Sequence, residues 1–401
     1  MARVLTLDDL SSPAVRDSFP VPAVRDFAVP GASREVPEIV CPFPEVGIHP
    51  EAERLKRDNF QWIVETGMAP PYPGVSEEEV LGRLQRQRMP DLHARMWCDA
   101  PKYEYLALAD KLLTFFWVLD DFMDEPRSDE YRAQQVEYVQ AFRPILWAGV
   151  PGPCRDPWGA GTLNTFAELW AQVRAISPLD QLKRHASVID NWLNVSMDES
   201  GAVRHQRQIP TTAHILGKFI QVHGMDMFIP WNEIALNAFL PQDVYEHPSV
   251  ADTHVRFMNS VCWYNDIYGF NRDMVSGEVY NLIAAMMAHE GKSSVEAVTF
   301  LVDRINADMT ALDYMAQSAG KDGVADERLE RYTAGIKKVV RAMLEWHVTT
   351  GKYDWQEVFA PGAPTASPAR PGPGRVPAGP TGLGTSAARL LAHLPARQPQ
   401  R

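Results

Sequence analysis

The chain has 401 residues, 45% apolar and 22% charged, enough to bury a core in one large domain or two small ones. Its 39 basic and 51 acidic residues give a net charge of −12, which argues against nonspecific attachment to nucleic acid or to an anionic membrane; an anionic substrate would need a bridging cation or a local basic cluster. The four cysteines, Cys41, Cys98, Cys154 and Cys262, lack pairing or metal-ligand spacing. With no long apolar run and no apolar stretch at the start, the expected location is the cytoplasm, without stable membrane insertion.

Residues 1–45 are rich in Pro, Val and Arg without helical or strand period, and predict an extended N-terminal arm, packed on the surface or partly disordered. From 46 to 359 the pattern changes. Apolar residues recur at three and four, from EAERLKRDNFQWIVETG at Glu51 through to LERYTAGIKKVVRAMLEWHVTT at Leu329. About ten or eleven helices with short breaks and no fixed repeat predict one all-α domain. Residues 360–401 carry nine prolines, five arginines and no acid, and predict a disordered basic tail. The body that precedes it is strongly acidic.

The segment FFWVLDDFMDE, Phe115 to Glu125, drives acids into the end of an apolar helix. At about 100° per residue, Leu113, Phe116, Trp117, Asp120 and Asp124 fall on one stripe, with Asp121 nearer its edge. Two carboxylates about 6 Å apart repel by about 3 kcal/mol at an effective dielectric of 20, so the pair asks for a cation between them. Oxygen donors without His or Cys suit Mg²⁺. The other reading is a solvated acidic helix end.

A second polar line follows in NDIYGFNRDMVSGEVYNLI, where Asn265, Gly269 and Asp273 recur at every fourth residue with Arg272 beside the last. An amide and a carboxylate in line, with a guanidinium next to them, fit a further metal ion and a phosphate oxygen. A satisfied core amide and a surface ion pair are the alternative. Two such lines on separate helices predict a cavity with a polar rim and an apolar floor drawn from Phe115, Phe116, Trp117, Trp263, Tyr264, Tyr268 and Phe270. That combination suits ionisation of a diphosphate from a hydrocarbon, with aromatic faces shielding the cation from water.

These residues resemble the bacterial class I terpene synthases over roughly 45–358. The aspartate-rich motif matches at Asp120, Asp121 and Asp124, and the second motif at Asn265, Asp266, Arg272, Gly277, Glu278, Asn281 and Leu282. The resemblance implies a single α-helical terpenoid synthase bundle around a central cavity, three Mg²⁺ ions and a prenyl diphosphate substrate. Asp120 and Asp124, supported by Asp121, would hold two ions; Asn265 and Asp273 would hold the third; Arg272 would bind diphosphate. Phe116 and Trp117 would face the hydrocarbon chain.

Departures accompany the match. The family's Ser or Thr ligand is Gly269 here, and its Glu is the shorter Asp273. The diphosphate-sensing arginine falls in register at Phe219, with Lys218 as its neighbour about 100° away. His223 and Gly224 stand where the family breaks the helix. The C-terminal Arg-Tyr pair finds no counterpart after Trp355, and Arg331–Tyr332 comes too early. Arg256, Lys218, Arg204 and Arg207 are the candidates to compensate. The family's habit favours cyclisation of farnesyl diphosphate to a sesquiterpene, by a monomer or homodimer. Geranylgeranyl diphosphate cyclisation to a diterpene, a chain-elongating transferase and a catalytically silent prenyl-diphosphate binder are the alternatives; the transferase lacks the second Asp-Asp-x-x-Asp it needs.

Overall fold

The computed structural model describes residues 4–70, 75–124, 129–196, 208–318 and 327–353, apart from the side chains of 121, 124, 129–132, 219 and 316–318. Among them no strand forms, only isolated bridges within the N-terminal arm. The helices are α1 (Leu7–Leu10), α2 (Pro13–Asp17), α3 (Ala52–Thr66), α4 (Glu77–Gln87), α5 (Met89–Met96), α6 (Tyr103–Asp124), α7 (Asp129–Ala148), α8 (Pro157–Ile176) and α9 (Leu179–Asn194). Beyond them come α10 (Thr212–Val222), α11 (Phe228–Leu236), α12 (Gln242–Tyr245), α13 (Pro248–Ser276), α14 (Leu282–Glu290), α15 (Ser294–Ser318) and α16 (Glu327–Thr349). The all-α expectation holds. No described helix is long and apolar enough to cross a membrane.

Over its described length, residues 4–45, the arm packs against the helical bundle. Its apolar residues are the reason: Leu7, Leu10, Val24, Ile39 and Phe43 are all buried. Phe19 stacks on Phe270 of α13 at 4.3 Å and 8°. Backbone groups of the arm also find partners on the bundle, as Val40 N donates to Asn306 Oδ1 at 2.8 Å. The basic tail lies outside the described residues.

Four helices frame the centre. α11 packs on α6 and on α16, and α13 packs on α15 and α16. α6 is apolar over most of its length, and a buried polar relay fixes its position: Asp110 meets His93 Nδ1 of α5 at 2.6 Å and accepts from Asn59 Nδ2 of α3 at 2.7 Å. Buried polar groups are costly to separate from their partners, so these two bonds set how α6 sits against α5 and α3. α13 begins at Pro248 in its first turn and stops at Gly277, whose φ of 87° ends the helix in a conformation suited to glycine.

Between α10 and α11 the chain breaks. Gly224 has φ 61°, and one 3₁₀ turn, Met225–Met227, follows before α11 resumes. The backbone angle calls for glycine, and a Cβ there would also crowd Met227 Cε at 2.7 Å and the Trp192 indole at 3.3 Å. The break turns residues 222–225 toward the space enclosed by α6, α11, α13 and α16.

Candidate active site

Leu113, Phe116, Trp117 and Asp120 of α6 all line one central cavity, as their shared stripe requires. Asp120 is half-buried and faces the cavity, which decides against the solvated helix end for this residue. Asp121 and Asp124 continue α6, and their side chains lie outside the described set.

Asn265, Arg272 and Asp273 of α13 form another wall of the same cavity. Asp273 is buried, and burial pushes its carboxyl up to about 6, against the pull of the neighbouring Arg272, whose Nη1 lies 4.0 Å from Oδ1. Asp266 turns away from this face. Its Oδ1 meets His223 Nε2 at 3.1 Å and its Oδ2 accepts from Leu282 N at 2.8 Å, so it ties the α10 break and the start of α14 to α13.

Asn281 couples the same elements. Its Oδ1 caps α14 by accepting from Ile283 N and Ala284 N at 3.1 and 3.3 Å. Its Nδ2 donates to the Asp266 carbonyl at 2.9 Å and to Asp273 Oδ2 at 3.1 Å. Removing this amide takes away a helix cap and a donor to a buried carboxylate together. Asn281→Ala is therefore expected to cost about 2 kcal/mol, a fall in Tm of a few degrees in a thermal melt, and to lower turnover as well.

The cavity lining also holds residues that the sequence reading missed. Lys352, in the terminal 3₁₀ turn Gly351–Tyr353, lines the cavity. Its Nζ lies 4.0 Å over the Trp117 ring, a cation–π contact with the aspartate-bearing helix. Tyr353 follows, stacked on His347 at 5.5 Å and accepting from Asn265 Nδ2 at 3.2 Å. A basic residue followed by tyrosine is what was sought after Trp355. The pair stands instead just after Trp346, with lysine where the family has arginine. Trp355 itself is outside the described residues.

The aromatic floor also differs from expectation. Phe116 and Trp117 line it, but Phe115, Trp263, Tyr264, Tyr268 and Phe270 are not among the lining residues. Phe115 packs against Phe166 at 5.0 Å, and Phe270 holds the arm. Adjacent residues on a helix face different neighbours, and on α13 the cavity side is the polar one. The floor comes from Trp192 of α9 and from Phe228 and Trp231 of α11, supported by Met225, Met227 and Met343. The cluster FIPW directly after the helix break was the available signal.

Of the compensating cations, Arg256 is held away by Asp252 and Asp308, at 3.1 and 2.9 Å. Lys218 is half-buried on α10 and is not among the lining residues. The Phe219 side chain, Arg204 and Arg207 lie outside the described set, and Arg331–Tyr332 is far from use here: Tyr332 is buried against His254 Nε2 at 2.8 Å.

The donors suit a divalent ion. Asp120, Asn265 and Asp273 offer hard oxygens across one cavity, and a carboxyl pushed toward its protonated form by burial marks a place where positive charge is wanting. Among the described residues, no three His, Cys, Asp or Glu side chains already converge on one point. Mg²⁺ commonly takes one or two carboxylates and leaves its other positions to water and phosphate oxygens, so such a split set fits it.

The family model described as "Terpene synthase family 2, C-terminal metal binding" matches residues 111–311, spanning both polar lines. The chain is 24% identical to 10-epi-cubebol synthase of Sorangium cellulosum, over 79% of this chain and 97% of that protein. It is 21% identical to pentalenene synthase of Streptomyces avermitilis, over 82% and 92%. Among solved structures, linalool/nerolidol synthase from Streptomyces clavuligerus superposes with a TM-score of 0.65 at 18% identity, covering 80% of this chain and all of that one. Hedycaryol synthase in complex with HEPES gives 0.64 at 20% identity, covering 80% and 99%. A metal-binding family model over half the chain, relatives matched along almost their whole length and a shared all-helical fold lead to one conclusion: the chain belongs to the bacterial class I terpene synthases, enzymes that act on prenyl diphosphates.

Proposed function

We propose that this terpene synthase is Mg²⁺-dependent and cyclises farnesyl diphosphate to a sesquiterpene. The observation that carries the reading is the double character of one cavity lining. Asp120, Asn265, Arg272, Asp273 and Lys352 supply its charged and amide groups, with Arg272 and Lys352 both acting on Asp273, and aromatic and methionine side chains supply the rest. Both are what an amphipathic substrate with an anionic head and a branched hydrocarbon tail requires. Bound Mg²⁺, three ions by the family's pattern, would neutralise the diphosphate and make it a better leaving group. Asp120 with Asp124 and Asp121 would hold two ions, and Asn265 with Asp273 the third. Arg272 and Lys352 bind diphosphate oxygens, each by a charge-assisted contact worth about 1.5–3 kcal/mol. The rings of Phe116, Trp192, Phe228 and Trp231 then present π-faces to the cation that remains, and the closed floor keeps water from it.

The family's habit favours the fifteen-carbon substrate over the twenty-carbon one. Retention of Asp120, Arg272 and Lys352 in one lining weighs against a silent binder. In this reading the catalytic domain spans 46–359, and the enzyme acts in the cytoplasm as a monomer or homodimer.

Product class follows from the floor. Leu113, Val222, Met225, Met227, Phe228 and Met343 have no strong hydrogen-bonding group. Trp231 Nε1 is already engaged with His185 Nε2 at 3.1 Å. A buried water typically makes about three hydrogen bonds, more than these side chains provide beside the Trp192 indole N–H. The final cation is therefore expected to lose a proton to give a hydrocarbon, where capture of water would give an alcohol. Incubation with Mg²⁺ and ten-, fifteen- and twenty-carbon diphosphates, analysed by gas chromatography and mass spectrometry, tests both statements. A hydrocarbon from farnesyl diphosphate is the expected result; an alcohol carrying oxygen-18 from labelled water would refute the product class, and no product from any substrate would refute the function.

A further inference from the structure

Behind the floor of the cavity a line of rings runs back to α7. Trp231 of α11 is buried and donates from Nε1 to His185 Nε2 of α9 at 3.1 Å. His185 stands edge-on to Trp170 of α8 at 5.1 Å, and Trp170 Nε1 donates in turn to the Leu146 carbonyl of α7 at 3.2 Å. An indole N–H can only donate, so the imidazole must accept at Nε2 and carry its own proton on Nδ1. Burial pushes that imidazole down to about 3, which keeps it neutral and its lone pair available. Its Nδ1 is buried with no partner among the described residues. An apolar residue at 185 would also leave one N–H unmatched, that of Trp231. The histidine therefore gains no satisfied donor overall. What it changes is which group is held, and the held group is the one in the cavity wall.

We infer that His185 is a positioning residue that sets product specificity by fixing the plane of the Trp231 indole beside the reacting cation. The inference rests on the cyclisation reading given above. An indole turns about the bond that joins it to Cβ, and that torsion is broad; a hydrogen bond at Nε1, which lies off the axis, removes the freedom. The plane matters because the face of an aromatic ring is negative and its edge positive, so a turned ring exchanges attraction of a cation for repulsion. Packing limits the ring from the other side, with Phe116 at 5.7 Å and 33° and Phe228 at 5.3 Å and 62°. Those contacts tolerate sliding, whereas the bond to His185 is directional. His185 is not among the residues that line the cavity, so its influence passes through Trp231. Cations that differ in where their charge sits are stabilised unequally by one fixed face, and a choice of orientation becomes a choice of product.

The test is the product profile of the full-length protein, by gas chromatography and mass spectrometry, beside a thermal melt of each variant. The substrate is whichever of the ten-, fifteen- and twenty-carbon diphosphates the wild type turns over with Mg²⁺. His185→Phe keeps a ring on Trp170 and removes the acceptor, so the ratio of the main product to all others should fall about 3- to 30-fold, the span that loss of a desolvated cation–π contact allows. A ratio does not depend on how much enzyme is folded, so a merely structural role would lower yield or melting temperature and leave it unchanged. His185→Gln restores an accepting oxygen and should hold the ratio within about twofold of wild type. In a Trp231→Phe background no N–H remains to be held, and His185→Phe should shift the ratio no further. His185→Leu serves as the acceptor-free variant should His185→Phe not fold. A wild-type ratio in the acceptor-free variant, an equal shift in His185→Gln, or a further shift in the Trp231→Phe background overturns the inference and leaves the cyclisation reading in place. No product from the wild type with any of the three substrates overturns that reading and the inference with it.

Discussion

Asp120→Asn is expected to reduce turnover by about 10²–10³-fold, the scale seen when one preorganised group that stabilises developing charge is removed. The carboxylate faces the cavity from α6, opposite Asn265 and Asp273 on α13, so it is the described acid that closes the gap between the two walls. The amide keeps shape and packing but gives up the charge, which leaves the fold intact and the ion poorly held. Product yield at saturating Mg²⁺, together with the Mg²⁺ concentration for half-maximal rate, separates the two effects. A rise in that concentration with partial recovery at high Mg²⁺ is the signature of a lost ligand. Full activity at ordinary Mg²⁺ would show that Asp120 has no part in the chemistry.

Lys352→Ala should weaken diphosphate binding by about 10- to 100-fold, in keeping with about 1.5–3 kcal/mol for a charge-assisted contact, while Lys352→Arg should stay within a few-fold of wild type. The lysine lies in the cavity lining and leans on Trp117 at 4.0 Å, so the alanine variant also frees an indole face beside the aspartate-bearing helix. Calorimetric titration with diphosphate and Mg²⁺ reads the affinity, and tryptophan emission reads the indole. If Lys352→Ala binds diphosphate as tightly as wild type, Arg272 carries the contact by itself.

The sequence was most informative where one helix carries its own periodicity. Leu113 to Asp120 could be placed on one face because four successive contacts repeat every three or four residues, and Asn265 to Asp273 because the fourfold spacing drifts little. What was not legible depends on several helices meeting. Trp192, Phe228 and Trp231 look like ordinary core on their own helices, and only the packing of α9 and α11 against α6 turns them into a floor. The aromatics of α13 failed as candidates for the converse reason. They share a helix with Asn265 and Asp273 but occupy other sides of it, where the arm and neighbouring helices cover them. Lys352 and Tyr353 were lost for a third reason: they sit on a turn rather than on a periodic element, and a short turn has no pattern by which to find them.

The backbone angle at Gly224 has a consequence for the pocket. Its φ of 61° suits glycine, and a methyl added there would crowd the Met227 terminal methyl and the Trp192 indole, both of which bound the pocket where the hydrocarbon must curl. The bend of the main chain and part of the mould that shapes the rings thus meet at one residue. Substituting Met227 or Trp192 would recast the mould while that pivot stays in place.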